Sequence, residues 1–170
     1  MKIGVISDTH GVIHPAVFDL FGGVEHILHA GDLGDDAVLD TLRSFAPVTA
    51  VRGNVDHWPG AGRLPESVDV SLSGLAIHMT HIGRPEAEWA RELDARAAPA
   101  RPQLVICGHT HAPRRTECGG YLFLNPGSAG RRRFSLPLSV ALLDVADGGS
   151  GLGPARFDLR LVEIEKGGAS

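Results

Sequence analysis

The sequence predicts an α/β fold, a sandwich of two packed mixed β-sheets with helices outside, and three observations carry that prediction. Short apolar runs at Lys2–Ser7, Glu25–His29 and Val48–Val51 alternate with helical segments, the spacing of βαβ units on a parallel sheet. Beyond residue 65 the pattern changes to hairpins, one more helix and then mostly strands. A chain of 170 residues is long enough for a full hydrophobic core, and it reads as one domain over 1–166 with a frayed tail at 167–170.

Each element has a local reason. Lys2–Ser7 is short, apolar and stopped by a polar turn, which suits a buried strand. Pro15 fits the first turn of a helix to about Phe21, begun by His14 or a neighbour and ended by Gly22-Gly23. Glu25–His29 is the second strand. Asp35-Asp36 favour a helix N-terminus, and Ala37, Val38, Leu39, Leu42 and Phe45 give the apolar stripe that follows. Pro47 ends that helix before Val48–Val51. Residues His57 to Pro65 form a loop rich in Pro and Gly. Ser67–Leu72 and Leu75–Thr80 alternate around Ser73-Gly74 as a hairpin. A helix from Pro85 through Ala98, closed by Pro99 and Pro102, leads to the buried strand Gln103–Cys107. Arg114–Glu117 and Tyr121–Leu124 flank Cys118-Gly119-Gly120 as a second hairpin. Leu138–Asp144 and Ala155–Val162 are the last strands, joined by a Gly148–Gly151 loop.

The totals narrow the function classes. A formal net charge of −4 argues against a nonspecific nucleic-acid binder, but bound dications would reverse the local sign and admit a phosphate substrate. No stretch approaches the roughly 20 apolar residues of a membrane span, and the opening run is not a signal peptide. Two cysteines, Cys107 and Cys118, make no disulfide framework. A cytoplasmic setting without membrane contact is expected.

The chemistry gathers at strand ends. Cys107-Gly108-His109-Thr110-His111 follows an apolar run, and two histidines two residues apart in extended backbone project to one side. Asp8-Thr9-His10 ends the first strand in a similar way, and Asp32, Asn54 and His81 sit at or just past three others. Ligands of parallel sheets gather at such ends. Asp8, His10, Asp32, Asn54, His81, His109 and His111 are therefore seven candidate metal ligands. Their mixture of carboxylate, imidazole and amide suits Mn²⁺, Fe²⁺, Zn²⁺, Co²⁺ or Ni²⁺ better than Ca²⁺. Seven ligands are too many for one tetrahedral ion but fit two ions sharing a carboxylate. Two metals about 3.5–4 Å apart can clamp a phosphoryl group and activate a water between them.

In this order, Asp8-x-His10, Gly31-Asp32, Gly53-Asn54-x-Asp56, His81 and Gly108-His109-x-His111 resemble the signature of the calcineurin-like metallophosphoesterases. The opening Met-Lys-Ile-Gly-Val-Ile-Ser-Asp-Thr-His and the later Asn125-Pro126-Gly127-Ser128 are similar to the compact phosphodiesterase branch, so the resemblance spans roughly residues 2–145. It implies an αββα sandwich with a dinuclear centre holding two divalent ions, Mn²⁺ first. Asp8, His10 and His111 would hold one metal, Asn54, His81 and His109 the other, and Asp32 would bridge them. It further implies in-line attack of a metal-bound hydroxide on the phosphorus of a small phosphodiester. A phosphomonoesterase with the same centre is the near alternative. A non-catalytic scaffold similar to the retromer scaffold subunit is the alternative from another class, although here every ligand position is filled.

One departure shapes the expected chemistry. A histidine often follows the Gly-Asn pair in the broad superfamily and protonates the leaving oxygen, whereas this chain has Val55, which favours aryl or otherwise stable leaving groups. His57 is a candidate substitute. Asn54 and His109 are the expected catalytic contacts; Asp56 would either orient a ligand from behind or form an Asx-turn. His14, His26, His29 and His78 read as structural, Cys107 as a small apolar residue, and Trp58 and Trp89 as cleft or core. Arg131-Arg132-Arg133 reads as a solvated cluster before a phosphate contact. Asn125 and Ser128 are expected to shape a turn beside the site. Leu136 and Leu138, if exposed, would favour a partner surface, and a homodimer is compatible with the chain.

Overall fold

A computed structural model describes residues 1–95, 101–133, 135–146 and 155–164. Its elements run β1 (Lys2–Ile6), α1 (Ala16–Leu20), β2 (His26–His29), α2 (Asp36–Arg43), β3 (Val48–Ala50), a 3₁₀ turn (Ala61–Arg63), β4 (Ser67–Leu72) and β5 (Leu75–Thr80). They continue with α3 (Glu86–Asp94), β6 (Leu104–Ile106), β7 (Arg114–Cys118), β8 (Tyr121–Asn125), β9 (Leu138–Val145) and β10 (Phe157–Ile164). The expected end of α3 at Ala98, the Gly148–Gly151 loop and the 167–170 tail lie outside the described residues.

Two mixed five-stranded sheets result, in the orders β10-β9-β1-β2-β3 and β4-β5-β6-β8-β7. Strands β1, β2 and β3 are mutually parallel, as are β5, β6 and β8. Period-two alternation then sets the layers. Ile3 and Val5 of β1 point between the sheets and meet Ile77, Met79, Leu104, Ile106 and Leu124, all essentially inaccessible. Ile6 points the other way and packs with Val17 and Phe21 of the α1 region and Leu39 and Leu42 of α2. On the far side, Trp89 and Leu93 of α3 cover Val105, Tyr121 and Phe123 of the second sheet. The layers are therefore helix, sheet, sheet, helix. Gly4 makes α1 fit, since a Cβ there would fall 2.7 Å from the Phe21 ring.

Two expectations change. Leu138 is buried and pairs with Ile164 in the β9–β10 ladder, and Leu136 is half-buried, so these late-strand residues form no exposed apolar face. The strand register puts Leu138 on the helix-covered side of its sheet, where it joins the α1–α2 cluster. Inside the expected loop, Ala61–Arg63 closes into a 3₁₀ turn through the Leu64 N–H to Ala61 carbonyl bond.

Candidate metal centre

The carboxyl ends of the parallel strands bring the predicted residues to one end of the sandwich. β1 delivers Asp8 and His10, β2 Asp32, β3 Asn54, β5 His81, and β6 both His109 and His111. They fall into two clusters. Ligand atoms of Asp8, His10 and His111 lie within 4.8 Å of one another, as do those of Asp32, His81 and His109. Asn54 joins the second cluster, with its Oδ1 3.1 Å from His81 Nε2 and 2.9 Å from His109 Nδ1. Asp32 faces both, its Oδ2 lying 3.3 Å from His81 Nε2 and 3.9 Å from His10 Nε2.

The local backbone is unusual. Asp8, His10, Asp32, His109 and His111 all adopt positive φ, between 48° and 69°, and the sole other non-glycine described residue to do so is Ser73 in a hairpin turn. For residues with a Cβ this conformation is disfavoured and persists when the surroundings over-determine it. The surroundings do so here. Asp8 N–H donates to Gly31 carbonyl and His10 N–H to Asp32 carbonyl, each at 3.0 Å, which ties the β1 loop to the β2 loop. Close packing at glycines completes the tie. A Cβ at Gly108 would stand 2.0 Å from Ser7 Oγ, and one at Gly53 would stand 2.0 Å from Asp32 Oδ1.

Hydrogen bonds behind the ligands fix their protonation. His81 Nδ1–H donates to the Ala30 carbonyl at 2.7 Å, so Nε2 is the nitrogen aimed into the site. Burial alone would lower the His81 pKa, but contact with Asp32 outweighs it and raises the value above 6.5. Burial likewise opposes the Asp32 charge, yet His81 and the Val55 N–H, 3.1 Å from Oδ1, hold its carboxyl below the usual range. His10 is shifted down, by burial first and then by the Arg133 guanidinium. Asp8 Oδ2 accepts from Ser7 Oγ–H at 2.7 Å and from His109 N–H at 3.0 Å. Its other oxygen, Oδ1, is fully buried with no hydrogen-bond partner, 3.2 Å from His111 Nε2; His111 Nδ1 is also buried and unpartnered.

That orphaned oxygen is the test of whether a metal fits. A buried carboxylate oxygen without a donor is strongly unfavourable unless a cation meets it. His10 Nε2 and His111 Nε2 face one another at 3.3 Å, so two ring nitrogens converge beside that oxygen. Carboxylate and imidazole donors of this kind suit divalent transition ions. The residues fit.

Asp56 belongs to the frame of the site. It is buried, with Oδ1 accepting from Gly34 N–H at 3.0 Å and Oδ2 from Gly53 N–H at 2.7 Å. Both oxygens hold backbone in the loops that carry Asp32 and Asn54, and neither makes an Asx-turn bond. Asn125 shapes the neighbouring turn, as expected, with Nδ2 donating to Gly108 carbonyl and Oδ1 accepting from Gly127 N–H. Ser128 Oγ–H donates to the Asp8 carbonyl at 2.9 Å. His26, His29 and His78 are structural, paired with Thr49, Thr9 and Asp69 respectively. His14 Nδ1 accepts from Ala16 N–H at the start of α1. Trp89 is core, and Trp58 Nε1–H donates to Asp36. Burial pushes the Cys107 thiol up to about 11, so it stays neutral. Arg131, Arg132 and Arg133 are exposed, with Arg133 close enough to act on His10. Sequence reasoning missed Ser7 and Gly130. Ser7 supports Asp8, and a Cβ at Gly130 would stand 2.2 Å from the Thr9 carbonyl oxygen. Neither carries a periodic signal; their position beside a ligand loop was the sole clue.

Comparison with known proteins places this architecture in a family. The model of the calcineurin-like phosphoesterase superfamily domain matches residues 1–148. A probable metallophosphoesterase of Methanocaldococcus jannaschii is 34% identical, with 98% of this chain and 83% of that protein aligned. Among solved structures, the E. coli phosphoesterase YfcE is 28% identical with a TM-score of 0.64, covering 85% of this chain and 88% of its own. Entamoeba histolytica Vps29, solved in complex with zinc, is 27% identical with a TM-score of 0.70, covering 96% and 99%. The chain belongs to the calcineurin-like phosphoesterase superfamily. Its fold is that of the metallophosphoesterases, a family of hydrolases acting on phosphoester bonds.

Proposed function

We propose that the protein is a metal-dependent phosphodiesterase acting on a small phosphodiester at a dinuclear centre. The observation that carries this reading is Asp32, whose Oδ2 lies between the two ligand clusters at 3.3 Å from His81 Nε2 and 3.9 Å from His10 Nε2. Asp8, His10 and His111 would hold one ion, Asn54, His81 and His109 the other, with Asp32 shared. When bound, two divalent ions, Mn²⁺ first among Ni²⁺, Fe²⁺, Co²⁺ and Zn²⁺, would neutralise charge on the phosphoryl oxygens and supply an activated water. The chain does the rest. Asn54 and His109 are the exposed members of the set, so the phosphoryl group approaches on their side. Their amide and imidazole orient it, while buried Asp8, Asp32 and His81 keep the inner face fixed and shielded. Val55 cannot donate a proton to the leaving oxygen, which directs the enzyme to leaving groups stable as anions. His57 lines the adjacent cavity with Asn54 and His81 and is the candidate donor for poorer ones.

Among the described residues no helix is long and apolar enough to cross a membrane, and both cysteines are free, in keeping with a reducing cytoplasmic setting. A second reading, a metal-binding interaction protein, is favoured by the likeness to Vps29 and by the exposure of Val55 and Ile82 beside the ligands. Hydrolysis of bis-p-nitrophenyl phosphate separates the two. The phosphodiesterase requires activity lost on chelation, restored by Mn²⁺, and reduced at least about 10²-fold by Asp32→Ala and by His109→Ala. Silence on diesters and monoesters with Mn²⁺, Ni²⁺, Co²⁺ and Zn²⁺ alike leaves the interaction protein.

A further inference from the structure

Two unlike cavities flank the mouth of the metal centre. One, about 470 Å³, is lined by Asn54 and His81 and by Arg52, His57, Glu66 and Thr80. Ile82 lines it too, and Arg52 donates to Glu66 at 2.6 Å on its solvent side. The other, about 280 Å³, opens from His109 and runs under the start of α3 between Trp89, Cys107 and Phe123. Asn54 Oδ1 and His109 Nδ1, one on each side, are 2.9 Å apart. A phosphorus bound there has a mixed cavity carrying an ion pair on one hand and a mostly apolar one on the other. A phosphodiester has two ester arms to place, and a monoester has one.

The register of the second sheet builds the apolar cavity. Thr116 pairs with Phe123 and Arg114 with Asn125, so these side chains share the outer face that α3 covers. Trp89 lies 5.7 Å from Phe123, ring centroid to centroid, and closes the inner end. Gly83 keeps the wall open, because a Cβ there would come within 2.9 Å of Cys107 Sγ. A ligand cavity of drug size begins near 300 Å³, so this one suits a single ring.

We propose that the Trp89–Phe123 cavity is the subsite for one ester arm of the substrate, a flat apolar group the size of a phenyl ring, the other arm being polar and seated against Arg52 and Glu66. This assignment rests on the phosphodiesterase reading of the centre. It predicts a substrate with unlike arms.

Calorimetric titration of the Zn²⁺-loaded protein with phenylphosphonate and methylphosphonate tests it without turnover. Phenylphosphonate should bind roughly tenfold or more tightly than methylphosphonate. Thr116→Trp, on an edge strand where an aromatic residue is well tolerated, should fill the cavity and erase that advantage while methylphosphonate still binds. In the unsubstituted protein, phenyl protons should show nuclear Overhauser contacts to the Trp89 indole, a measurement independent of any variant. An advantage that survives Thr116→Trp, or that is lost in Ile82→Ser instead, puts the ring in the other cavity and overturns the assignment. Absence of any phenyl preference overturns it too. If neither phosphonate binds in a Zn²⁺-dependent manner, the metal-centre reading itself fails, and the subsite falls with it.

Discussion

At the scale of single residues, Asp56 shows how a buried carboxylate can serve a site without facing its ligand. Its two oxygens accept from Gly34 N–H and Gly53 N–H, which sit immediately beyond the Asp32 loop and before Asn54. Asp56→Ala leaves two amides without their charged acceptor, and hydrogen bonds to charged groups contribute about 1.5–3 kcal/mol each. We expect a loss of about 3–6 kcal/mol in urea unfolding, and metal affinity weakened about 10–100-fold in a competition titration with a chelating dye. Loss of stability with unchanged metal affinity would mean that the loop holds Asn54 by other contacts. The candidate ligands that the fold gathers into two clusters were legible in the sequence, because His109-x-His111 and Asp8-x-His10 follow apolar runs and their types suit a metal. The left-handed backbone at Asp8, His10, Asp32, His109 and His111 was not, since propensity assigns such φ values to glycine. Only the tertiary ties between loops impose it.

At the scale of elements, strand ends meet because small residues allow it. Gly108 ends β6 against β1, and a methyl there would fall 2.0 Å from Ser7 Oγ and 2.8 Å from Asp8 Oδ2. Gly108→Ala should therefore part β6 from β1 and displace Asp8, His109 and His111 together. Reactions of this kind lose about 10²-fold for an ångström of misplacement, so activity on bis-p-nitrophenyl phosphate should fall at least that far, with weakened metal binding. Wild-type activity in that variant would show that the β6 turn moves freely. The helices give a milder case. Asp35 caps α2, its Oδ1 accepting from Val38 N–H at 3.2 Å, and Asp35→Ala should lower stability by about 1 kcal/mol with little effect on metal binding. Local chemistry made these elements readable: the β4–β5 hairpin has the limits its alternation predicts, and Asp35-Asp36 start α2. Ends were less readable. The apolar stripe of α2 continues to Phe45, but the helix stops at Arg43, where Ser44 takes the cap and Phe45 stacks on Phe18 at 5.4 Å.

At the scale of the whole molecule, the order of strands was the part sequence could not supply. β9 returns from the far end of the chain to pair antiparallel with β1, a contact between residues such as Lys2 and Asp144 that no local pattern encodes. On β2, between β1 and β3, His29 is completely buried. Its Nδ1 accepts from Gly31 N–H at 3.2 Å, which leaves Nε2–H to meet Thr9 Oγ1 at 3.0 Å, whose hydroxyl reaches the Leu33 carbonyl at 3.0 Å. The neutral ring satisfies every partner, and burial pushes its pKa from 6.5 down to about 3. The sign follows from proton counting. Below 6.5 the unfolded chain binds a proton at this position and the folded chain does not until about 3. The stability from His29 is therefore full above pH 6.5 and drains as pH falls toward 3, with a limiting slope near 1.4 kcal/mol per pH unit. His10 and His26, also shifted down, add to the loss, whereas His81, shifted up, opposes it. His29→Gln has no titrating group there. Its urea-unfolding stability, measured in chelator between pH 7.5 and 4, should fall less steeply by up to about 1.4 kcal/mol per unit. An identical slope in the two proteins would transfer the acid response from the β1–β2 seam to the histidines of the metal centre.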